Sequence, residues 1–141
     1  MSDTTINQKF AYIFGAVYVL VGLIGFAVTA GVEFAATEGN LLFGLFEVNP
    51  LHNIVHLLVG AAFLIGARNG PMAARATNMS IGAVYLLLGI VGLFMEPGNS
   101  ANILALNGGD NALHLFTGVA ALGVAMYAAG EMTTRRTTRP M

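Results

Sequence analysis

The chain has 141 residues, of which 56% are hydrophobic and 9% are charged, and its mean hydropathy is +0.74. Its net charge of −1 excludes a strongly basic surface for nucleic acid, and the lack of cysteine excludes disulfides and thiolate metal sites. The charged residues fall almost entirely between long apolar runs. This composition is typical of an integral membrane protein.

Four apolar runs approach the roughly 20 residues that a membrane-spanning helix needs. We predict spans over residues 10–30, 50–68, 78–95 and 110–130, within a single membrane domain that covers residues 1–141. The first run is longer than the apolar core of a secretory signal, so we interpret it as a retained helix. The sequence therefore predicts an all-α, integral membrane four-helix bundle that contacts the lipid bilayer.

The positive charges predict the orientation of these spans. Lys9 precedes the first span, Arg68 and Arg75 flank the connection between the second and third spans, and Arg135, Arg136 and Arg139 follow the fourth. Glutamates occupy the two other connections. By the positive-inside rule, both termini of this multi-pass chain lie on the cytoplasmic side of the cell membrane.

An internal repeat relates the two halves of the chain. The segment Asn49–Gly60 and the segment Asn107–Gly118 share the pattern Asn-x-x-His-Leu-x-x-Gly, and the first and third spans share the pattern Gly-Ala-Val-Tyr-x-Leu-x-Gly. We therefore predict two tandem two-helix repeats, over residues 10–68 and 77–130. Because both repeats enter the membrane from the same side, their pseudo-two-fold axis runs along the membrane normal. The repeated glycines lie seven residues apart and mark the faces where helices approach closely.

The repeated segments also place polar side chains on one stripe of each helix. Residues at i, i+4, i+7 and i+11 share a helical face. Such a polar stripe cannot face lipid, so it should face the bundle interior. The stripes consist of Asn49, Asn53, His56 and Gly60 in the second span, and of Asn107, Asn111, His114 and Gly118 in the fourth.

Two kinds of cofactor site are compatible with this pattern. His52 lies one turn before His56, and Asp110 lies one turn before His114, so these four side chains could converge on one transition-metal ion. In a second version, His56 and His114 are the axial ligands of a haem. The identity of the cofactor is not defined by the sequence.

A structural alternative requires no ion. Asn49, Asn53, Asn107 and Asn111 could form a polar network with the histidines across the helix interface, with Asn49 and Asn107 or Asp110 also capping helices. Helical side chains lean toward the N-terminus of their helix, so we expect Tyr18 and Tyr85 to point away from the histidines. Both tyrosines are therefore left out of the predicted site.

These motifs together resemble an uncharacterised family of small four-span bacterial membrane proteins, a domain of unknown function. The resemblance covers the chain from Phe10 to about Ala129. It implies the fold and a membrane location, but no activity.

Three classes of function are compatible with the sequence. The favoured one is a small non-enzymatic membrane protein without catalytic residues, for example an accessory subunit of a larger membrane complex. The second is a metal- or haem-binding membrane protein. The third is a minimal channel or transporter that forms a pathway as a homo-oligomer.

Overall fold

Four helices dominate the fold. The computed structural model describes residues 4–96 and 98–137, with side chains described up to residue 127. The helices are α1 (Ile6–Val28), α2 (Pro50–Arg68), α3 (Pro71–Gly92) and α4 (Gly108–Thr137). A short hairpin of β1 (Asn40–Leu42) and β2 (Phe46–Val48) lies between α1 and α2. The architecture is all-α apart from this hairpin, which was not predicted.

Three of the helices, α1, α2 and α3, are long and apolar enough to cross a membrane. They indicate that the chain is embedded in a membrane and contacts lipid. The predicted fourth span continues past residue 127, where the described side chains end, so it stays a prediction. The predicted orientation also stays a prediction. The side chains of Arg135 and Arg136 are not described, and Arg139 lies outside the described residues.

The helix starts follow local capping rules. Thr5 and Gln8 form a reciprocal capping box at the start of α1. As predicted, Asn49 caps α2, where its side chain accepts a hydrogen bond from the backbone N–H of His52 at 2.8 Å and Pro50 takes the first helical position. Gly70 precedes α3 with a φ of +107°, which glycine adopts without strain.

The helices pack as two main pairs, α1 with α2 and α3 with α4. A Cβ atom added at Gly60 would lie 2.7 Å from the backbone nitrogen of Val19, and one added at Gly118 would lie 2.6 Å from the backbone nitrogen of Leu86. Both distances are shorter than any normal van der Waals contact. Each pair is therefore held at a spacing that only glycine permits.

Aromatic side chains join the two pairs at the centre of the bundle. The ring centroids of Tyr18 and Tyr85 lie 5.4 Å apart, and the ring of Tyr18 lies 6.2 Å from that of Phe63. These rings and two alanines form the buried core cluster. Tyr18 also donates a hydrogen bond to Oγ1 of Thr117 in α4 at 3.1 Å.

Two connections meet at the end of the bundle where α2 and α4 begin. We call this the long-loop end, made of residues 29–49, 93–96 and 98–107. The side-chain amide of Asn49 donates to the carbonyl of Ala36 at 2.7 Å and to the carbonyl of Ile103 at 2.8 Å. One buried amide therefore ties both connections to the start of α2.

The hairpin occupies part of this end. Its strands pair antiparallel, with Asn40 opposite Val48 and Leu42 opposite Phe46. Phe43 and Gly44 at its tip have positive φ angles of 54° and 71°, as in the turns that suit the twist of two-stranded hairpins. The second strand leads directly into the Asn49 cap, so the hairpin lies beside the polar residues at the start of α2.

Candidate metal centre

Three histidines meet between α2 and α4, next to the long-loop end. His52 and His56 are one turn apart on α2, and His114 reaches them from α4. Each ring offers one nitrogen, and these three atoms lie within 4.8 Å of one another. The side chains are only 1%, 3% and 3% exposed, respectively. The structure thus brings together three of the four predicted metal ligands in a site closed off from solvent.

His52 is held in one orientation by the hairpin. Its Nδ1 lies 3.2 Å from the backbone carbonyl of Glu47. A carbonyl only accepts hydrogen bonds, so Nδ1 carries the proton in the neutral ring and Nε2 keeps its lone pair. That Nε2 points at Nε2 of His56, 3.1 Å away. A backbone carbonyl on the far nitrogen is the usual way to orient a metal-ligating histidine.

The other two histidines each keep an unpartnered nitrogen. Nδ1 of His56 and Nδ1 of His114 are buried and lack a hydrogen-bond partner among the described residues. Leaving a buried polar atom unpaired costs about 1–3 kcal/mol. Each of these two rings therefore has one nitrogen that the described residues leave without a hydrogen-bond partner.

Asp110, the fourth predicted ligand, makes different contacts. Its Oδ2 accepts hydrogen bonds from the backbone N–H of Asn107 at 3.0 Å and from that of Glu47 at 3.1 Å. Its own backbone N–H donates to Oδ1 of Asn107 at 3.1 Å, which completes a reciprocal cap at the start of α4. Asp110 lies outside the three-histidine group and joins α4 to the hairpin.

The side chains of Asn49, Asn53 and Asn107 form hydrogen bonds with the backbone and with a threonine. Asn53 donates to Oγ1 of Thr29 at 3.1 Å, and Asn107 donates to the carbonyl of Leu45 at 3.0 Å. Among the described residues, no hydrogen bond joins the asparagines to His56 or His114. They fix the loops and helix starts around the histidines.

Asn53 and Asn111 also fill equivalent positions between helices. The amide of Asn53 packs against Gly25 of α1, and the amide of Asn111 packs against Gly92 of α3, where a Cβ atom would overlap each amide. Both Oδ1 atoms are buried without a hydrogen-bond partner in the described part of the chain. Each glycine therefore provides the space for one asparagine next to a histidine.

The expectation that the two tyrosines point away from the histidines is wrong. The ring of Tyr18 lies 5.2 Å from that of His56, and the ring of Tyr85 lies 4.8 Å from that of His114, both edge to face. The lean of a helical side chain shifts it by only part of a turn, whereas the glycine contacts bring the helices close and set the tyrosines level with the histidines. Tyrosine recurs at the same place in the Gly-Ala-Val-Tyr-x-Leu-x-Gly pattern that α1 and α3 share, and this recurrence was the sequence signal for their position beside the histidines.

A cavity of about 390 Å³ lies beside the site, at the long-loop end. Its lining includes Glu38, Glu47, Asn102, Asn107 and Asn111, but none of the three histidines. The carboxylate of Glu47 accepts a hydrogen bond from the backbone N–H of Gly39 at 2.7 Å. Glu47 and the start of α4 thus lie between the cavity and the histidine rings.

Comparison with known proteins places the chain in a family. No curated protein and no solved structure matches the chain. A family model described as "Domain of unknown function (DUF4383)" matches residues 8–127, which include α2, α3, all but the first two residues of α1, and all three histidines. The chain therefore belongs to the DUF4383 family, a domain of unknown function.

Proposed function

We propose that this chain is a four-span membrane protein that binds one transition-metal ion through His52, His56 and His114. The observation that carries the proposal is the convergence of three buried imidazole nitrogens within 4.8 Å. An ion bound to nitrogens at about 2.0–2.1 Å holds them roughly 3.3–3.6 Å apart, so small ring rotations would complete the site.

The contacts around the rings favour an ion over a haem. The ring centroids of His52 and His114 lie 6.2 Å apart, and those of His52 and His56 lie 4.3 Å apart. Tyr18 and Tyr85 close the side of the site that faces the bundle centre. A porphyrin needs a wide flat slot between its axial ligands, and these rings fill that space.

A tandem repeat is part of this proposal, because equivalent contacts occur in both helix pairs. Gly60 against Val19 corresponds to Gly118 against Leu86, just as the Asn53–Gly25 contact corresponds to the contact between Asn111 and Gly92. The positive-inside rule then places both termini in the cytoplasm and the histidines in the outer part of the membrane.

The packing between the histidines and the α2–α3 turn favours metal binding over ion transport. Tyr18, Phe63 and Ala67 are buried between the site and the α2–α3 turn, and they form an apolar core. These side chains fill the centre of the bundle there, and the buried polar groups nearby are hydrogen-bonded within the protein, Thr117 to Tyr18 and Asn78 to Asn7. The protein would therefore hold its ion on one side of the membrane, either alone or as a subunit of a larger membrane complex.

The proposal is tested by elemental analysis of the full chain purified in mild detergent after expression with added Cu, Zn, Fe or Co. We expect about one transition-metal ion per chain, lost from a variant that carries His56→Gln and His114→Gln. A Phe116→Leu variant is the matched control, because Phe116 lies on α4 near His114 but is 64% exposed. Circular dichroism checks that each variant is folded. Metal-free protein under all conditions, or equal metal content in the folded histidine variant, would contradict the proposal.

A further inference from the structure

We infer that the three-histidine site selects a monovalent copper ion, Cu(I), over divalent transition metals. The inference rests on the proposed metal-binding function and concerns which ion the same site takes. The donor charges, the burial of the rings and the number of available donors each support it.

The donor set is electrically neutral. The three converging groups are imidazoles, which bind metals without contributing charge. Asp110 directs its Oδ2 to two backbone N–H groups, and the carboxylate of Glu47 accepts from Gly39. No carboxylate among the described residues belongs to the converging group. The three ligands would therefore not reduce the charge of a bound ion.

Burial raises the free-energy cost of holding that charge. All three histidines are at most 3% exposed, and apolar helices surround them. Transfer of an ion from water to a medium of low dielectric constant costs a free energy that grows with the square of its charge, so a divalent ion costs about four times as much as a monovalent ion of the same size. A neutral, buried donor set consequently favours a single positive charge.

The number of donors points the same way. Zn²⁺ in proteins is almost always bound by four ligands, and three-histidine zinc sites complete the set with a water molecule. Here the neighbouring groups are the rings of Tyr18 and Tyr85, and the hydroxyl of Tyr18 donates to Thr117. Cu(I) accepts three donors in a plane, and because imidazole suits both copper and zinc, the number of donors rather than their type distinguishes the two ions here.

The test measures the selectivity of the purified full chain in detergent without oxygen. Cu(I) affinity is measured by competition with bicinchoninate, and Zn²⁺ and Co²⁺ affinities by competition with chromophoric chelators. We expect one Cu(I) per chain and divalent affinities lower by at least about a thousandfold. Zn²⁺ or Co²⁺ binding as tight as that of Cu(I) would overturn this inference and leave the metal site in place. Binding of none of the three ions would overturn both.

Two variants test the role of charge directly. Asp110→Asn preserves the cap, since its amide oxygen can accept the same backbone hydrogen bonds, and it should retain Cu(I) affinity within about threefold. A larger loss in the folded variant would make the carboxylate a ligand and overturn the inference. His52→Glu adds a negative charge to the donor set, so the ratio of Cu(I) to Zn²⁺ affinity should fall at least about tenfold. An unchanged ratio with both ions still bound would also overturn it.

Discussion

The hydroxyl of Tyr18 in α1 donates a hydrogen bond to Oγ1 of Thr117 in α4 at 3.1 Å. This bond joins the two helix pairs, which also meet through the contact between the Tyr18 and Tyr85 rings and through hydrogen bonds from the Asn78 amide of α3 to Asn7 of α1. The same tyrosine ring lies edge to face with His56. Tyr18 therefore couples the packing of the pairs to the position of a histidine in the candidate site.

Removal of the Tyr18 hydroxyl should weaken the contact between the two helix pairs without disrupting the core. Tyr18→Phe keeps the ring and loses the hydrogen bond, so we expect a loss of about 0.5–1.5 kcal/mol in the free energy of unfolding. Thr117→Val should cost a similar amount. The double variant should cost less than the sum, because one interaction is removed in both cases. Unfolding titrations in mixed micelles measure the cycle, and strictly additive losses would argue against the bond.

The close approach of the helix pairs should fail when a methyl group is added at either interface. In Gly60→Ala and Gly118→Ala the new Cβ would meet backbone atoms of Val19 or Leu86, which cannot rotate away. We expect each change to cost about 1–3 kcal/mol, as overpacking does.

Gly123→Ala is the matched control, because nothing lies within 4 Å of a Cβ at that position on α4. It should lower the thermal unfolding temperature in detergent by little or not at all. Equal losses for all three variants would contradict close packing as the cause, because alanine has a higher helix propensity than glycine and that effect alone would stabilise each variant.

The reciprocal cap at the start of α4 should depend on a side-chain acceptor at position 110. Asp110→Ala leaves the N–H groups of Asn107 and Glu47 without that acceptor, so we expect a loss of about 1–2 kcal/mol. Asp110→Asn should lose much less. Hydrogen exchange of the backbone around residues 45–48 and 107–111 should rise in the alanine variant alone. Equal protection in both variants would refute this role.

The predicted orientation can be tested by labelling, since the chain has no cysteine of its own. The single substitution Leu45→Cys, in the hairpin, should give a protein that reacts in intact cells with a maleimide reagent that does not cross membranes. Asn69→Cys, between α2 and α3, should give one that reacts only after permeabilisation. The reverse pattern would place the histidine site on the cytoplasmic side.

Much of the helical frame could be predicted from the sequence because lipid imposes a strong constraint on it. Apolar runs of sufficient length predicted α1, α2 and α3, and the polar stripe predicted that His56 and His114 face inward. Asn49 followed by Pro50 correctly predicted the start of α2. These signals are local, with fixed spacings along one helix.

The features that the sequence did not predict depend on contacts between segments that are far apart in the sequence. The tilt of helical side chains toward the helix N-terminus could not predict that Tyr18 contacts His56, because the spacing and register of the two helices set the distance between these rings. The spacing of Asp110 from His114 suited both a ligand and a cap, and only its distances to two backbone N–H groups reveal the cap. The hairpin was missed because its strands have three residues each, too few to form a periodic pattern.

Glu47 connects the hairpin to the histidines, and its contacts affect how fast an ion bound there would be released. Its carboxylate accepts from Gly39, its N–H donates to Asp110, and its carbonyl meets Nδ1 of His52. Displacement of the second strand would break all three contacts together and free the His52 ring to rotate. The lifetime of any complex formed at this site should therefore depend on how often a three-residue strand detaches, even though the strand itself supplies no ligand.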